Sequence, residues 1–323
     1  MALDAQFGAQ HNTDPLLTSP SNNNKAGDSM TLSPKQTLKR CVVFAAFVCV
    51  LVASCELLAS HRQQQLPLAA AKHVVDAYKR LSKGKKCYEI QPKLNNNYHR
   101  GALEIALICK ALALGGIKVE PELQARPNYA RALKSVEQGQ ALMAAESIWS
   151  KDINREVLFY SRTVIPRNSF EKGLYVLEQH PALTNSESGA DIYHLRGLTV
   201  QSWRLDWEAL SAITQFPQST IRYDARLNML KAQRADFSPM SFSNNEDLHV
   251  NIDGNVLRPI DGVKIVLRES RRFVISAKYK NAQTIQKALN KGLTKLEKSG
   301  ELNHYLRAMK IYNPATASWR ILN

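Results

Sequence analysis

Downstream of residue 87, the apolar positions switch repeatedly between two spacings. Ala102–Leu114 is apolar at helical spacing and is stopped by Gly115 and Gly116, the usual C-terminal signal. Ile117–Leu123 alternates and predicts a strand. The same reading gives helices over Tyr129–Gln138, Asp206–Gln215 (with Asp206 as cap), Asp224–Gln233, Ala282–Lys298 and Glu301–Lys310. It gives strands over Cys87–Gln91, Ala141–Ala145, Glu156–Ser161, Gly173–Leu177, Gly197–Ser202 and Phe273–Lys278, and a short strand starting at Ile221. Strands and helices alternate without an internal repeat, which predicts an α/β fold with largely parallel sheets.

The chain before residue 87 has a different texture. Residues 1–29 are polar and read as a disordered or misassigned start. Residues 30–55 hold a basic segment ending in Lys39 and Arg40, an apolar run from Cys41 to Ala53, and then Ser54 and Cys55. Basic, apolar, then small is the pattern of a secretory signal. Val52-Ala53-Ser54-Cys55 resembles a lipoprotein processing site, with the Cys55 thiol accepting the lipid. An uncleaved anchor and conventional cleavage remain alternatives. All three place residues 61–323 across the membrane from Lys35, Lys39 and Arg40. Residues 56–86 read as a tether, within which Val74, Val75, Tyr78 and Leu81 are spaced for a short helix.

The formal charge is +15 over 323 residues. The first sixty residues balance, so the excess belongs to the remainder. One local cluster is Lys79, Arg80, Lys83, Lys85 and Lys86; another is Arg268, Arg271 and Arg272. Such an excess favours anionic partners, but no nucleic-acid motif accompanies it. Charged residues at 22% and hydrophobic residues at 44% are ordinary globular values. Beyond Cys55 only Cys87 and Cys109 remain. An oxidising compartment permits a disulfide between them, while the apolar helical setting of Cys109 equally suits a buried thiol.

Four stretches carry a resemblance: Gly101–Leu112, Ala130–Gln140, Ala225–Asp236 and Leu289–Tyr305. In this order they resemble the family 3 extracellular solute-binding proteins of amino-acid-type ABC transporters. The resemblance implies a two-lobed periplasmic-binding-protein-like fold (type II), with lobe 1 over 87–171 plus 281–323 and lobe 2 over 172–280. It implies a solute held between lobes that close about a hinge, and an ABC-type permease or a membrane sensor as partner. In amino-acid binders of the family an Arg after the third strand clamps the ligand carboxylate. Ungapped matching puts Asp152 there, and three extra residues would bring Arg155. Ser241 falls where the second lobe carries an Asp, and Trp203-Arg-Leu-Asp-Trp207 replaces a Gly-Thr turn. Tyr98, Trp149 and Trp203 are aromatic candidates for the pocket wall.

Glu146-Ser-Ile-Trp149 looks like the Glu-Ser-x-Trp of lytic transglycosylases, whose Glu is the catalytic acid. The Pro that normally follows and the downstream motif are missing, so the reading is a binding protein and not an enzyme. His residues lack ligand spacing and no phosphate loop or nucleophile elbow is found, so neither metal nor cofactor is expected. Delivery to a permease and sensing with a degenerate cleft are the two functions in contest.

Overall fold

The computed structural model describes residues 64–183, 191–220 and 225–323. The expectations for residues 1–55, Cys55 among them, and for the strand at Ile221 lie outside the described residues. Arg62–Asn323 forms one compact unit, built as two lobes.

The chain enters lobe 1 through β1 (Gln64–Ala71) and α1 (Lys72–Ser82). A 3-10 turn at Cys87–Glu89 leads to α2 (Arg100–Gly115), then β2 (Val119–Arg126), α3 (Tyr129–Glu137), β3 (Met143–Ala144), β4 (Ile148–Trp149) and β5 (Leu158–Tyr160). Lobe 2 holds β6 (Phe170–Leu177), β7 (Arg196–Thr199), α4 (Arg204–Ser211), β8 (Phe216–Ser219), α5 (Ala225–Lys231), β9 (Ser238–Met240), β10 (Val250–Ile252) and β11 (Asn255–Leu267). The chain returns through β12 (Arg271–Arg272) and β13 (Val274–Ser276), continues into α6 (Ala282–Lys298) and α7 (Glu301–Ala308), and ends at β14 (Arg320–Ile321).

The first sheet has the order β2-β1-β3-β13-β5. Strands β1, β2 and β3 are parallel, while β13 is antiparallel to both of its neighbours. In lobe 2 the order is β10-β11-β6-β9. A parallel bridge from Gly197 to Phe237, just before β9, joins the parallel pair β7-β8 to that sheet. Both lobes therefore carry three parallel strands, with the middle one in chain order at the outside, followed by one reversed strand. In each lobe the reversed strand adjoins a crossing: β13 arrives from lobe 2, and β6 comes straight from lobe 1.

The crossing segments run between β5 and β6 and between β11 and β13. They are bonded to each other: Arg271 N donates to Ile165 O at 2.9 Å, Val164 N to Arg271 O at 2.9 Å, and Ser161 N to Phe273 O at 2.8 Å. The two lobes agree with the expected fold class, but lobe 2 ends before residue 280, because β13 (Val274–Ser276) already lies in the sheet of lobe 1. Other local expectations also need correction. The sheets are mixed, because the reversed strands break the parallel set. The stretch 64–82 is an interior strand of the first sheet and its helix, not tether; Leu66 and Leu68–Ala71 are buried, and their unbroken apolar run hid the strand pattern. The C-terminal segment does not stay in lobe 1: β14 pairs with β11, and the Asn323 side chain holds Val266 N and O at 3.0 and 2.9 Å.

Helix α2 is apolar nearly all round because it is covered on all sides. Residues Gly101–Cys109, Ala111 and Leu112 are buried. Its contact with α6 is backbone to backbone. A Cβ on Gly115 would sit 2.1 Å from Ala288 O, and one on Gly292 would sit 1.7 Å from Ala111 O. Gly115 thus closes a helix contact, and Gly116, at φ 106°, supplies the left-handed cap. Cys87 is not in a strand. It is disulfide-bonded to Cys109 of α2, with Cα atoms 5.7 Å apart, and both residues are buried. The bond pins the 3-10 turn against the helix.

Two stability predictions follow from this packing. Gly292→Ala forces the helices apart and is expected to cost about 3 kcal/mol or more, read as a lowered thermal midpoint. Cys109→Ser removes a cross-link of sequence separation 22; the expected loss is about 3 kcal/mol, with the wild type falling to the same midpoint in reductant.

Candidate functional site

The cleft residues follow the C-terminal ends of the parallel strands of both lobes. In lobe 1, β3 runs into Glu146 and Ser147, and β4 then pairs antiparallel with β12 of the second crossing. Glu104, on α2, is fully buried. Its carboxylate accepts from Ser147 Oγ at 2.6 Å, Ser147 N at 3.2 Å and Arg100 Nη1 at 2.6 Å. Arg100 reaches Glu146 as well, at 2.9 Å. Burial works against the Arg100 charge, and Glu104 and Glu146 more than offset it, raising its pKa.

Arg271 completes this network from the crossing. It is only 4% exposed. Its Nε donates to Ser147 Oγ at 2.9 Å, a second nitrogen bonds Ser147 O, and its guanidinium lies 4.3 Å from the centre of the Trp149 ring. Burial, together with the nearby Arg100 charge, lowers its pKa. Trp149 also faces Phe170, the first residue of β6, at 5.9 Å. Burial holds the neighbouring Tyr129 hydroxyl up at about 12, so it stays a neutral donor to Asp152, at 3.3 Å.

The lobe 2 wall is also ionic and aromatic. Lys172 of β6 and Asp206 of α4 are buried and paired. The Lys172 ammonium lies 5.9 Å from the Phe170 ring and 5.8 Å from that of Trp203. Asp206 therefore does not cap its helix. Trp203 occupies the N-cap position of α4, and the Asp206 carboxylate turns inward to the lysine. Arg204 crosses the cleft: it lies 3.2 Å from Glu269 of the crossing segment and 3.6 Å from Asp152 of lobe 1. Glu269 in turn accepts from Lys151 N at 3.0 Å. At another point the lobes meet where Asn244 Nδ2 donates to Leu94 O at 2.7 Å.

The sequence candidates are thus only partly gathered. Trp149 and Trp203 come together around Phe170 and Lys172. Ser241 follows β9 and lies half-buried on the same rim of lobe 2 as Trp203. Tyr98 turns inward, its hydroxyl accepting from Lys93 N and Asn96 Nδ2. Arg155 is exposed, next to the edge strand β5, with its guanidinium 5.5 Å from the Tyr160 ring. Asp152, the ungapped alternative, is the one that faces the other lobe. Glu146 is held in its ion pair with Arg100. The sequence reading missed Phe170, Lys172, Arg204 and Glu269 as cleft residues. The Trp203–Trp207 stretch was their one available signal. A pocket lined by Arg226, Leu227, Leu230, Met240, Ile252 and Leu257 belongs to lobe 2 alone. Among the described residues no cluster of His, Cys, Asp or Glu is arranged to hold a metal ion.

Glu104→Ala leaves Arg100 short of a partner and strips Ser147 of its acceptor inside the fold. The expected cost is about 3–5 kcal/mol, measured by denaturant unfolding, with Glu104→Gln recovering part of it.

No family model matches the chain, and no curated protein matches it. Its structure is similar to solved ones. The probable amino-acid ABC transporter extracellular-binding protein ytmK of Bacillus subtilis is 14% identical, over 76% of this chain and 97% of that one, with a TM-score of 0.51. The second substrate-binding domain of Lactococcus lactis GlnP, in an open conformation, is 12% identical over 78% and 96%, with a TM-score of 0.47. The periplasmic VFT2 domain of Bordetella pertussis BvgS is 11% identical over 81% and 98%, with a TM-score of 0.45. At 14% identity the likeness to the ytmK protein shows the fold alone, which is the two-lobed type II periplasmic-binding-protein fold.

Proposed function

We propose that this chain is an envelope-located solute-binding protein that takes a small polar solute between its lobes. It would deliver the solute to an ABC-type permease or signal its presence to a membrane partner. The observation that carries the reading is the pair of bonded crossing segments between two lobes of like topology, with opposed aromatic and ionic walls beside them. That arrangement lets the lobes move about the crossings while a ligand is enclosed. The Cys87–Cys109 disulfide supports an oxidising compartment outside the cytoplasm, in keeping with a signal or anchor over residues 30–55 and lipid at Cys55. Among the described residues no helix is long and apolar enough to cross a membrane.

The cleft charges favour a particular polarity. Asp152 stands on lobe 1 and Arg204 on lobe 2, the reverse of an arginine clamp on the first lobe. A solute would present a neutral or cationic group to Asp152, stack on Trp149 and Trp203, and meet Arg204 and Ser241 with its acceptors. The second reading, a sensor or scaffold with a degenerate cleft, is favoured by the ion pairs Arg204 already makes across it.

A thermal-shift screen against amino acids, amines, organic acids and peptides tests the proposal. A solute at 100 times its Kd adds about 2.7 kcal/mol of stability. Trp203→Ala is expected to weaken that solute at least about tenfold, roughly 1.4 kcal/mol, while Arg155→Ala stays within about threefold by calorimetry. No shift with any small solute would reject the transport reading in favour of the scaffold.

A further inference from the structure

We propose that the pole of lobe 1 opposite the cleft is a docking surface for the anionic headgroups of a phospholipid membrane. The cleft residues Glu146 and Ser147 follow the C-terminal end of β3, which runs parallel to β1. The opposite pole gathers the turns that precede β2 and β3, the turn that follows β13, and the point where the chain comes into β1. The register aligns Gln64 with Val119, and Cys87 Sγ lies 3.4 Å from Val119 O. The turn after α1 therefore belongs to this pole too.

Three of those turns are basic, while the turn before β3 (138–142) is uncharged and Glu89 closes the turn after α1. Lys83, Lys85 and Lys86 lie after α1, Lys118 lies before β2, and Lys278 and Lys280 lie after β13; all six are exposed. Residues 79–88, 113–119, 138–142 and 277–284 contain no Asp or Glu. At the far edge, Arg155 and Glu156 precede β5 and offset one another. Lys79 and Arg80 stand in the last turn of α1, where cations answer the helix dipole. That explanation does not extend to Lys85, Lys118 and Lys280, which come from separate turns. Among the described residues, Lys83, Lys85, Lys118 and Lys280 have no ion pair within 4.0 Å. The cations at the cleft do: Arg100, Lys172 and Arg204 each meet a carboxylate.

A solvent-facing set of unpaired cations attracts an anionic surface. A membrane is favoured over nucleic acid by what is joined to this pole. The apolar run Cys41–Ala53, following Lys39 and Arg40, ends ten residues before Gln64. Ten extended residues reach at most about 35 Å. The proposal rests on the chain being held at a membrane on this side, by that run or by lipid at Cys55. The eight residues of β1 separate this pole from the cleft end by about 26 Å, so headgroups bound here leave the solute site open.

The test is lysine acylation of the full chain, followed by mass spectrometry, on vesicles of phosphatidylcholine alone and of phosphatidylcholine with about 30% phosphatidylglycerol. Lys83, Lys85, Lys118 and Lys280 are expected to react at least about threefold more slowly on the anionic vesicles, recovering in roughly 0.5 M salt. Lys151, at the cleft end, and Lys231, on α5, should react alike on both. Equal rates at the four lysines on both vesicles would overturn the proposal. So would stronger protection by a short DNA duplex in solution than by anionic vesicles. Failure of the chain to float with neutral vesicles would count against that attachment alone; the labelling ratio on anionic vesicles would still decide the surface.

Discussion

Glu104 is a carboxylate without solvent, carried on a helix whose other buried residues are all apolar. An isolated charge there would be prohibitive, so the fold must bring it partners. Arg100 comes from one turn earlier on α2. Ser147 comes from the end of β3, and supplies both its backbone N–H and its hydroxyl. Ser147 then accepts Arg271 from the segment that returns from lobe 2. The position of α2 on the sheet, the exit of β3 and the seating of the second crossing are therefore set by one connected group of bonds. Trp149 lies over Arg271 as a consequence, and Phe170 meets Trp149. The walls of the cleft near the crossings are fixed by the same carboxylate.

The elements with strong periodicity were legible in the sequence. Helices α2, α3, α6 and α7 were visible with their stops, because each has an apolar face of ordinary width or an obvious glycine. Strand β1 was not. Its Leu66, Leu68 and Ala69–Ala71 run too continuously to alternate, and Pro67 interrupts them. The 13-residue β11 was hidden by Pro259, Asp261 and Gly262, where its register with β6 shifts. The repeat between lobes is also invisible in residue order. It resides in strand order, and each lobe borrows its reversed strand from a crossing.

The cleft was less legible than the fold, for an electrostatic reason. Aromatic side chains announce themselves, and Trp149 and Trp203 were found. The ionic partners depend on which charges meet after two lobes and a crossing assemble. Glu269 lies among Arg268, Arg271 and Arg272 in the sequence, and nothing there distinguishes it as the acid that joins Lys151 N to Arg204. Arg155 was a reasonable choice by spacing. The chain after Asp152 turns away toward the edge strand, and that carries the guanidinium to Tyr160.

The borrowed strand sets an order of events during synthesis. Met143 and Leu158 lie far upstream of Val274, yet β13 is the partner that separates β3 from β5 in the finished sheet. A chain made from its N-terminus presents β1, β2 and β3 long before β13 arrives. Lobe 1 stays open along that line, with β5 unpaired, until residue 276 has passed. Completion of the first sheet is thereby postponed by topology alone. The last turn of thread, ending at Asn323, then ties the tail to β11 after both lobes exist.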